Sequence, residues 1–324
     1  MNKTLIELTI CIIGKNEAAK IPQLAKSLLA LEDSGLAYET LYVDSASTDK
    51  SVDVAVKLFN RVIVLEESYH LSAAAGRHIG TKHARGKWIL YLDGDMTLCN
   101  EFKPVLTETV RNDNCHGIIG TYIHRYDNGS SKEAKYNCRD QVGVARHFGG
   151  ASLLKKKAVI DAGGWNYKLF SNEEDDLYVR MKKSGVVVNF IDCPMIEHHT
   201  VSFTTYEKIL NLFLPRKKGL GKKFYGFGQL CVSAVVNGYV AALLKNWPQP
   251  FVFLFIISLN FVLLMQGKYL YFTIATLLLI LYVTVSKGAK FLVIYLSLFP
   301  QLILGCWKYS GSFEPIVEQD SENN

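Results

Sequence analysis

Between residues 251 and 307 the chain carries no acidic side chain and only three basic ones, Lys268, Lys287 and Lys290. A helix on the surface of a soluble domain keeps a polar face toward water, and this segment offers almost none. The lysines divide it into uncharged stretches at 251–267, 269–286 and 291–307. Each is near the lower end of the ~20 apolar residues that cross a hydrocarbon core about 30 Å thick. The sequence therefore predicts about three transmembrane helices over residues 251–308. The remaining charge is just as unevenly spread. Residues 1–205 hold 25 Lys and Arg against 25 Asp and Glu, while 206–245 hold seven basic residues and one acid, which accounts for the whole net charge of +6. The expected organisation is a neutral domain over 1–205, a basic amphipathic region lying in a membrane interface over 206–250, the apolar segment, and an acidic tail over 309–324. Membrane lipids are the partner that such a basic approach suits.

The positive-inside rule orients this plan. With three spans, the basic region, Lys245, Lys287 and Lys290 share one side with the first domain, and the acidic tail lies on the other. With four, Lys287 and Lys290 would face outward and the chain would end inside, which fits the rule less well. The N-terminus has only a four-residue apolar run at 10–13, preceded by Glu7, too short for the core of a signal peptide. The first domain is thus expected in the cytoplasm, at the face of a multi-pass protein. Seven cysteines without a Cys-x-x-Cys pair read as reduced thiols, not as a disulfide frame. Nucleic acid is not an expected partner, because the domain itself is neutral and the basic region adjoins apolar sequence.

Within the first domain, apolar strand patterns at 8–14, 40–43, 61–65 and 88–92 alternate with helical spacing at 17–31, 51–59 and 72–84. Such alternation predicts an α/β fold, a mostly parallel sheet with helices on both faces. Ligands of these sheets sit beyond the carboxyl ends of the strands, so the polar residues there are the ones to examine. Asn16, after the first strand, is a candidate helix N-cap. Asp44 closes the second strand, where no cap is needed. The fourth strand ends in Asp93-Gly94-Asp95, two carboxylates in a tight turn. This arrangement suits a divalent cation held through oxygen, or simply an Asp-Gly turn.

Three segments in this order, Tyr42-Val43-Asp44-Ser45-Ala46-Ser47-Thr48-Asp49, Ala73-Ala74-Ala75-Gly76-Arg77-His78-Ile79-Gly80 and Leu90-Tyr91-Leu92-Asp93-Gly94-Asp95, resemble the family 2 glycosyltransferases. Gly163-Gly164-Trp165 and the run from Asn172 to Arg180 resemble that family's acceptor-side segments. The resemblance covers about residues 8–200 and implies the single-Rossmann-like fold called GT-A. The tail is similar to the membrane anchors of bacterial members that build surface polysaccharides. Together these imply an inverting enzyme at the cytoplasmic (inner) membrane, moving a sugar from a nucleotide-sugar donor to a lipid-linked or polyprenyl phosphate acceptor.

The resemblance also implies roles. Asp95 is the expected ligand of Mn²⁺ or Mg²⁺, with Asp93 on the ribose or the metal. Asp44 would accept from the nucleobase, Glu17 would lie near the nucleoside, and Arg77 would meet the pyrophosphate. His198 or His199 would complete the metal shell; neighbours in a strand face opposite ways, so only one can, and His198 is favoured. Gly164, Trp165 and Glu173 are expected on the acceptor side. An inverting transferase needs a carboxylate as general base, and alignment on Asp176-Leu177-x-x-Arg180 gives that place to Glu174, with Asp175 next if the register slips. Two rival readings are a nucleotidyltransferase on a related fold, which would need a glycine-rich triphosphate loop that Ile13-Gly14-Lys15-Asn16 poorly supplies, and a degenerate domain serving as a membrane scaffold.

Overall fold

The computed structural model describes residues 5–67, 71–136, 143–202, 221–246, 248–287, 303–307, 309 and 314–322. They fall into two compact units, one of residues 1–202 with 312–324 and one of residues 203–311.

The first unit is built on β1 (Leu8–Gly14), whose first six residues are all buried. An unbroken apolar run of this kind belongs in the middle of a parallel sheet, covered on both faces. It pairs in parallel with β2 (Tyr38–Asp44) on one side and β4 (Trp88–Asp93) on the other, and β3 (Arg61–Leu65) continues in parallel from β2. The register sets Gly14 opposite Asp44 and Ile13 opposite Asp93. Two of the strand-end carboxylates thereby flank the end of β1.

The helices between these strands follow the apolar spacing, with one difference. The helical pattern at 17–31 becomes α1 (Ile21–Leu28) followed by a 3-10 turn (Leu29–Ser34), and Asn16 caps nothing: it has a left-handed backbone, φ 59°. Beyond α2 (Ser51–Leu58) lies α3 (Ala73–His83), which starts where the Ser72 hydroxyl accepts from Ala75 N. Glycine lets α3 approach β1 closely, since a Cβ on Gly80 would lie 2.1 Å from Cys11 Sγ and one on Gly76 3.0 Å from the Ile13 side chain.

Past β4 the sheet is mixed, which corrects the expectation of a mostly parallel one. The added elements are β5 (Met96–Leu98), α4 (Phe102–Asn112), β6 (Gly117–Tyr126), β7 (Ser131–Ala134), β8 (Ser152–Lys155), α5 (Lys156–Asp161), α6 (Glu173–Lys183) and β9 (Asn189–Thr200). β8 runs antiparallel to β4 and to β6, β5 antiparallel to β9, and β6 parallel to β9. Strands of three or four residues such as β5 and β8 are too short to show a period of two in sequence, so their direction was not legible. β9 runs through Pro194. The ladder to β6 shifts register around Thr121, the residue opposite Pro194, and such irregularities are where a sheet tolerates proline.

The acidic tail is the sheet's last strand. β10 (Val317–Glu322) pairs antiparallel with β3. Asp320 takes hydrogen bonds from Arg61, Glu322 takes two from Arg85 at 2.6 and 2.9 Å, and Glu314 meets Lys82 at 2.8 Å and His78 at 3.2 Å. These cations hold all three carboxyls below their usual range. The sign of the linkage follows: their contribution is present above the ordinary carboxylate range, about pH 4, and is lost as pH falls through the depressed values. Acidification to pH 3 is therefore expected to release β10 before the central strands. Amide exchange of 317–322, corrected for its intrinsic pH dependence, should accelerate at pH 3 while that of β1 does not; equal retention in both strands would refute this.

The second unit contains α7 (Gly221–Val236), α8 (Val240–Asn246), α9 (Pro248–Met265) and α10 (Tyr269–Lys287). Within the region expected to lie in a membrane interface, 206–250, the chain breaks between α7 and α8 at Gly238, φ 67°. Among the described residues no helix is long and apolar enough to cross a membrane, which overturns the multi-pass inner-membrane placement and its outward-facing tail. α9, at 18 residues, spans only about 27 Å at 1.5 Å per residue. It opens on Pro248-Gln249-Pro250 and carries Asn260 inside the apolar run. Most of the third stretch, 291–307, lies outside the described residues. The return of 317–322 to the sheet that contains β1 also excludes the expected side for the tail.

Candidate active site

The loops after β1 and β2 are stapled together by their own side chains. Asn16 Oδ1 accepts from Thr48 N and Asn16 N donates to Ser47 Oγ, each at 2.8 Å. Glu17 N donates to Ser51 Oγ at 2.8 Å, and Ala18 N to Asp49 Oδ2 at 3.2 Å. Between them Asp44 is wholly buried, accepting from Ser47 N at 2.7 Å and Ser47 Oγ at 2.6 Å. Burial pushes its carboxyl up, against the pull of the Ser47 bonds. A preformed wall holding one carboxylate is the outcome.

The turn after β4 adds the second wall. Gly94 N donates to Ile13 O at 2.8 Å, and a Cβ on Gly94 would stand 3.2 Å from Glu17 Cγ. A side chain there would press on Glu17, which itself pairs with Lys20 at 3.0 Å. Asp95 Oδ2 lies 3.3 Å from His198 Nε2 and 3.6 Å from Lys20 Nζ. Burial opposes the charges of both partners, but the bond between them prevails, lowering Asp95 and raising His198. His199 points elsewhere, 3.4 Å from Gln23 Nε2. The Asp95 carboxylate thus meets the side chain of His198, while His199 reaches Asp95 only through the backbone, its N donating to Asp95 O at 2.9 Å.

Two donor atoms about 2.1 Å from one cation, at roughly a right angle, lie about 3 Å apart. Asp95 Oδ2 and His198 Nε2 meet that spacing. Among the described residues no group of three or more His, Cys, Asp or Glu could hold a metal ion. The donor set fits a hard cation that takes its remaining oxygens from phosphate and water, as Mg²⁺ commonly does.

Arg77 joins the strand ends to α6. Its side chain is 1% exposed; Nη2 donates to Asp93 Oδ1 at 2.8 Å, Nη1 to Glu173 Oε1 at 2.7 Å, and Glu174 Oε1 is 3.5 Å away. The guanidinium lies over the Trp165 ring, 5.1 Å from its centroid. A Cβ on Gly150 would meet Asp93 Oδ2 at 2.5 Å and Arg77 Nη2 at 2.9 Å. The two Nη donors of Arg77, expected at the pyrophosphate, are each taken by a carboxylate. Burial and the neighbouring Glu174 push the Glu173 carboxyl up, with Arg77 opposing them.

Trp165 is 1% exposed, packed edge to face against Tyr91 and Phe148, so it is a floor beneath Arg77. Glu173 is buried with it. Gly163 and Gly164 both take left-handed backbone, φ 89° and 70°, and Arg180 ties this turn by donating to Ala162 O and, at 2.8 Å, to Gly164 O. Arg180 also clamps Asp176, which is wholly buried. Asn172 has left-handed backbone and its side chain does not cap α6. The four acids are therefore sorted by helical period: Glu173 and Asp176, three apart, face inward. Glu174 and Asp175 stay partly exposed, at 23% and 22%.

Sequence reasoning missed three neighbours. His147 Nδ1 lies 3.9 Å from Asp175 Oδ1 and its ring sits against Tyr136. His124 contacts His198. Gly150 gives Asp93 and Arg77 their room; the pair Gly149-Gly150 just before an apolar strand was the signal available for it.

The family described as Glycosyl transferase family 2 matches residues 9–168. An uncharacterized glycosyltransferase of Haemophilus influenzae (strain ATCC 51907 / DSM 11121 / KW20 / Rd) is 25% identical over 188 residues, which cover 54% of this chain and 61% of its own. One of Rickettsia bellii (strain RML369-C) is 29% identical over 136 residues, covering 40% of this chain and 44% of its own. The match thus spans less than two thirds of either relative. Among solved structures, S. aureus TarS 1-349 in complex with UDP-GlcNAc superimposes with a TM-score of 0.53 at 14% identity, over 71% of this chain and 66% of that one. The same fragment with UDP gives 0.51 at 14% identity, over 71% and 65%. At this identity the likeness establishes the fold, a GT-A-like mixed α/β sheet.

Proposed function

Because residues 9–168 form a glycosyl transferase family 2 domain, we propose that the protein transfers a sugar from a nucleoside diphosphate sugar to an acceptor hydroxyl in one inverting displacement. The observation that supports this most is the convergence of Asp44, Asp93 and the Asp95–His198 pair around the end of β1, with the acids of α6 joined to it through Arg77. Asp44 and Glu17 would receive the nucleoside, and Asp93 the ribose. Asp95 and His198 would hold Mn²⁺ or Mg²⁺, which would neutralise the charge growing on the diphosphate of the departing nucleoside diphosphate. Arg77 orients Asp93 and Glu173 and leaves Glu174 partly exposed. Glu174 would take the proton of the acceptor hydroxyl as it attacks. The donor class follows the UDP-GlcNAc held by the TarS fragment. The lipid-linked acceptor and the membrane lipids rested on a membrane anchor and lose that support; a hydroxyl-bearing glycan is the acceptor proposed.

The test uses purified full-length protein with UDP-GlcNAc and a panel of other nucleotide sugars, scoring release of nucleotide with and without Mn²⁺. Metal-dependent release from one donor is expected. Asp95→Asn should abolish it and leave the far-ultraviolet circular dichroism unchanged. A variant that kept near-wild-type turnover would remove Asp95 from the cation.

A further inference from the structure

β6 and β9 run in parallel, and their register sets His124 directly opposite His198. The irregularity around Thr121 and Pro194 lies just upstream. It decides that these two residues face each other, since a slip of one position would turn one ring to the other side of the sheet. The rings meet edge to face with centroids 5.2 Å apart, and the two Nδ1 atoms are 3.1 Å apart. The other nitrogen of His198, Nε2, is the one 3.3 Å from Asp95. One imidazole therefore has a separate partner at each nitrogen.

An imidazole that gives one nitrogen's lone pair to a cation must carry its proton on the other, and that N–H needs an acceptor. We propose that His124 is a positioning residue: its Nδ1 accepts the Nδ1 proton of His198, fixing the tautomer and ring plane that present Nε2 to the cation. This rests on the reading of Asp95 and His198 as the cation's protein ligands. His124 stands on the far side of the His198 ring from Asp95, so it acts through His198 without touching the cation. To accept at Nδ1 it carries its own proton on Nε2. Asparagine is the conservative replacement, because its Oδ1 reaches about as far as a histidine Nδ1 and accepts in the same way. Phenylalanine keeps a flat ring and removes the acceptor.

The experiment titrates the full-length protein with Mn²⁺ alone and reads free Mn²⁺ by electron paramagnetic resonance, with thermal unfolding as the check on folding. His124→Phe is expected to weaken Mn²⁺ binding by about 10–100-fold, the usual cost of losing an outer partner of a ligand. His124→Asn should restore binding. In ¹⁵N spectra of the imidazoles recorded with Mg²⁺, His198 should carry its proton on Nδ1. If His124→Phe binds as wild type while His198→Ala does not, the inference falls and the cation site stands. Equal weakening in His124→Phe and His124→Asn would also overturn it, since ring packing and not an acceptor would then matter. If His198→Ala binds as wild type, the cation reading itself fails.

Discussion

Glu174→Gln is expected to lower the transfer rate constant by about 10²–10⁴ while donor binding stays nearly unchanged. A general base acts on the acceptor hydroxyl only in the transition state, so its loss appears in kcat and not in the ground-state affinity for donor. The choice of Glu174 rests on the sorting of the four acids. Glu173 is fully engaged by Arg77, and Asp176 by Arg180. Glu174 keeps a partly exposed carboxylate, 3.5 Å from Arg77 Nη1. Asp175 turns toward His147 instead. The decisive comparison is single-turnover transfer in Glu174→Gln and Asp175→Asn, each with its donor dissociation constant. A dead Asp175→Asn beside an active Glu174→Gln would move the base by one residue. Two active variants would place it outside α6.

Arg77→Met should cost about 3–5 kcal/mol of folding stability, the range for breaking a buried ion pair from one side. Methionine has a similar volume, so the loss is of charge more than of space. Asp93 and Glu173 would be left facing each other without a cation, and the stacking on Trp165, worth about 0.5–2 kcal/mol, would go too. Glu173, whose carboxyl burial already pushes up, can take a proton and recover part of the cost. For that reason Arg77→Met with Glu173→Gln should be more stable than Arg77→Met alone. Urea unfolding of the two variants and the wild type measures both quantities. A loss under about 1 kcal/mol in Arg77→Met would mean that Arg77 is no structural hub, and direct contact with the donor would again be the better account of it.

Much of the site could be read in advance because strand ends are local features. An apolar run that stops at Asp44 or Asp93 announces where a parallel strand delivers its side chain, and β1 and β3 begin and end where the pattern does. The acids of α6 were legible as a set, but not their division, because burial of Glu173 and Asp176 requires partners on other elements: Arg77 lies 96 residues from Glu173 in sequence. Arg77 and Trp165 were expected at the donor and on the acceptor side, since nothing nearby in the chain shows that the two stack on each other.

The sequence by itself determined the parallel half of the sheet, the carboxylates that crown it and the small-residue helix that brings Arg77 to them. Each follows from hydrophobic period, turn chemistry or the absence of a side chain within a few residues. Only the tertiary structure decided the mixed half of the sheet, the pairing of His198 with Asp95 and His124, and the place of the acidic tail. The Arg61–Asp320 bond joins residues 259 apart, and charge composition can say that such a tail seeks cations but not which ones. The same holds for the uncharged segment. Hydrophobicity states that a surface tends to leave water, but not where it goes: α9 and α10 leave Phe255, Phe261, Met265 and Leu270 exposed.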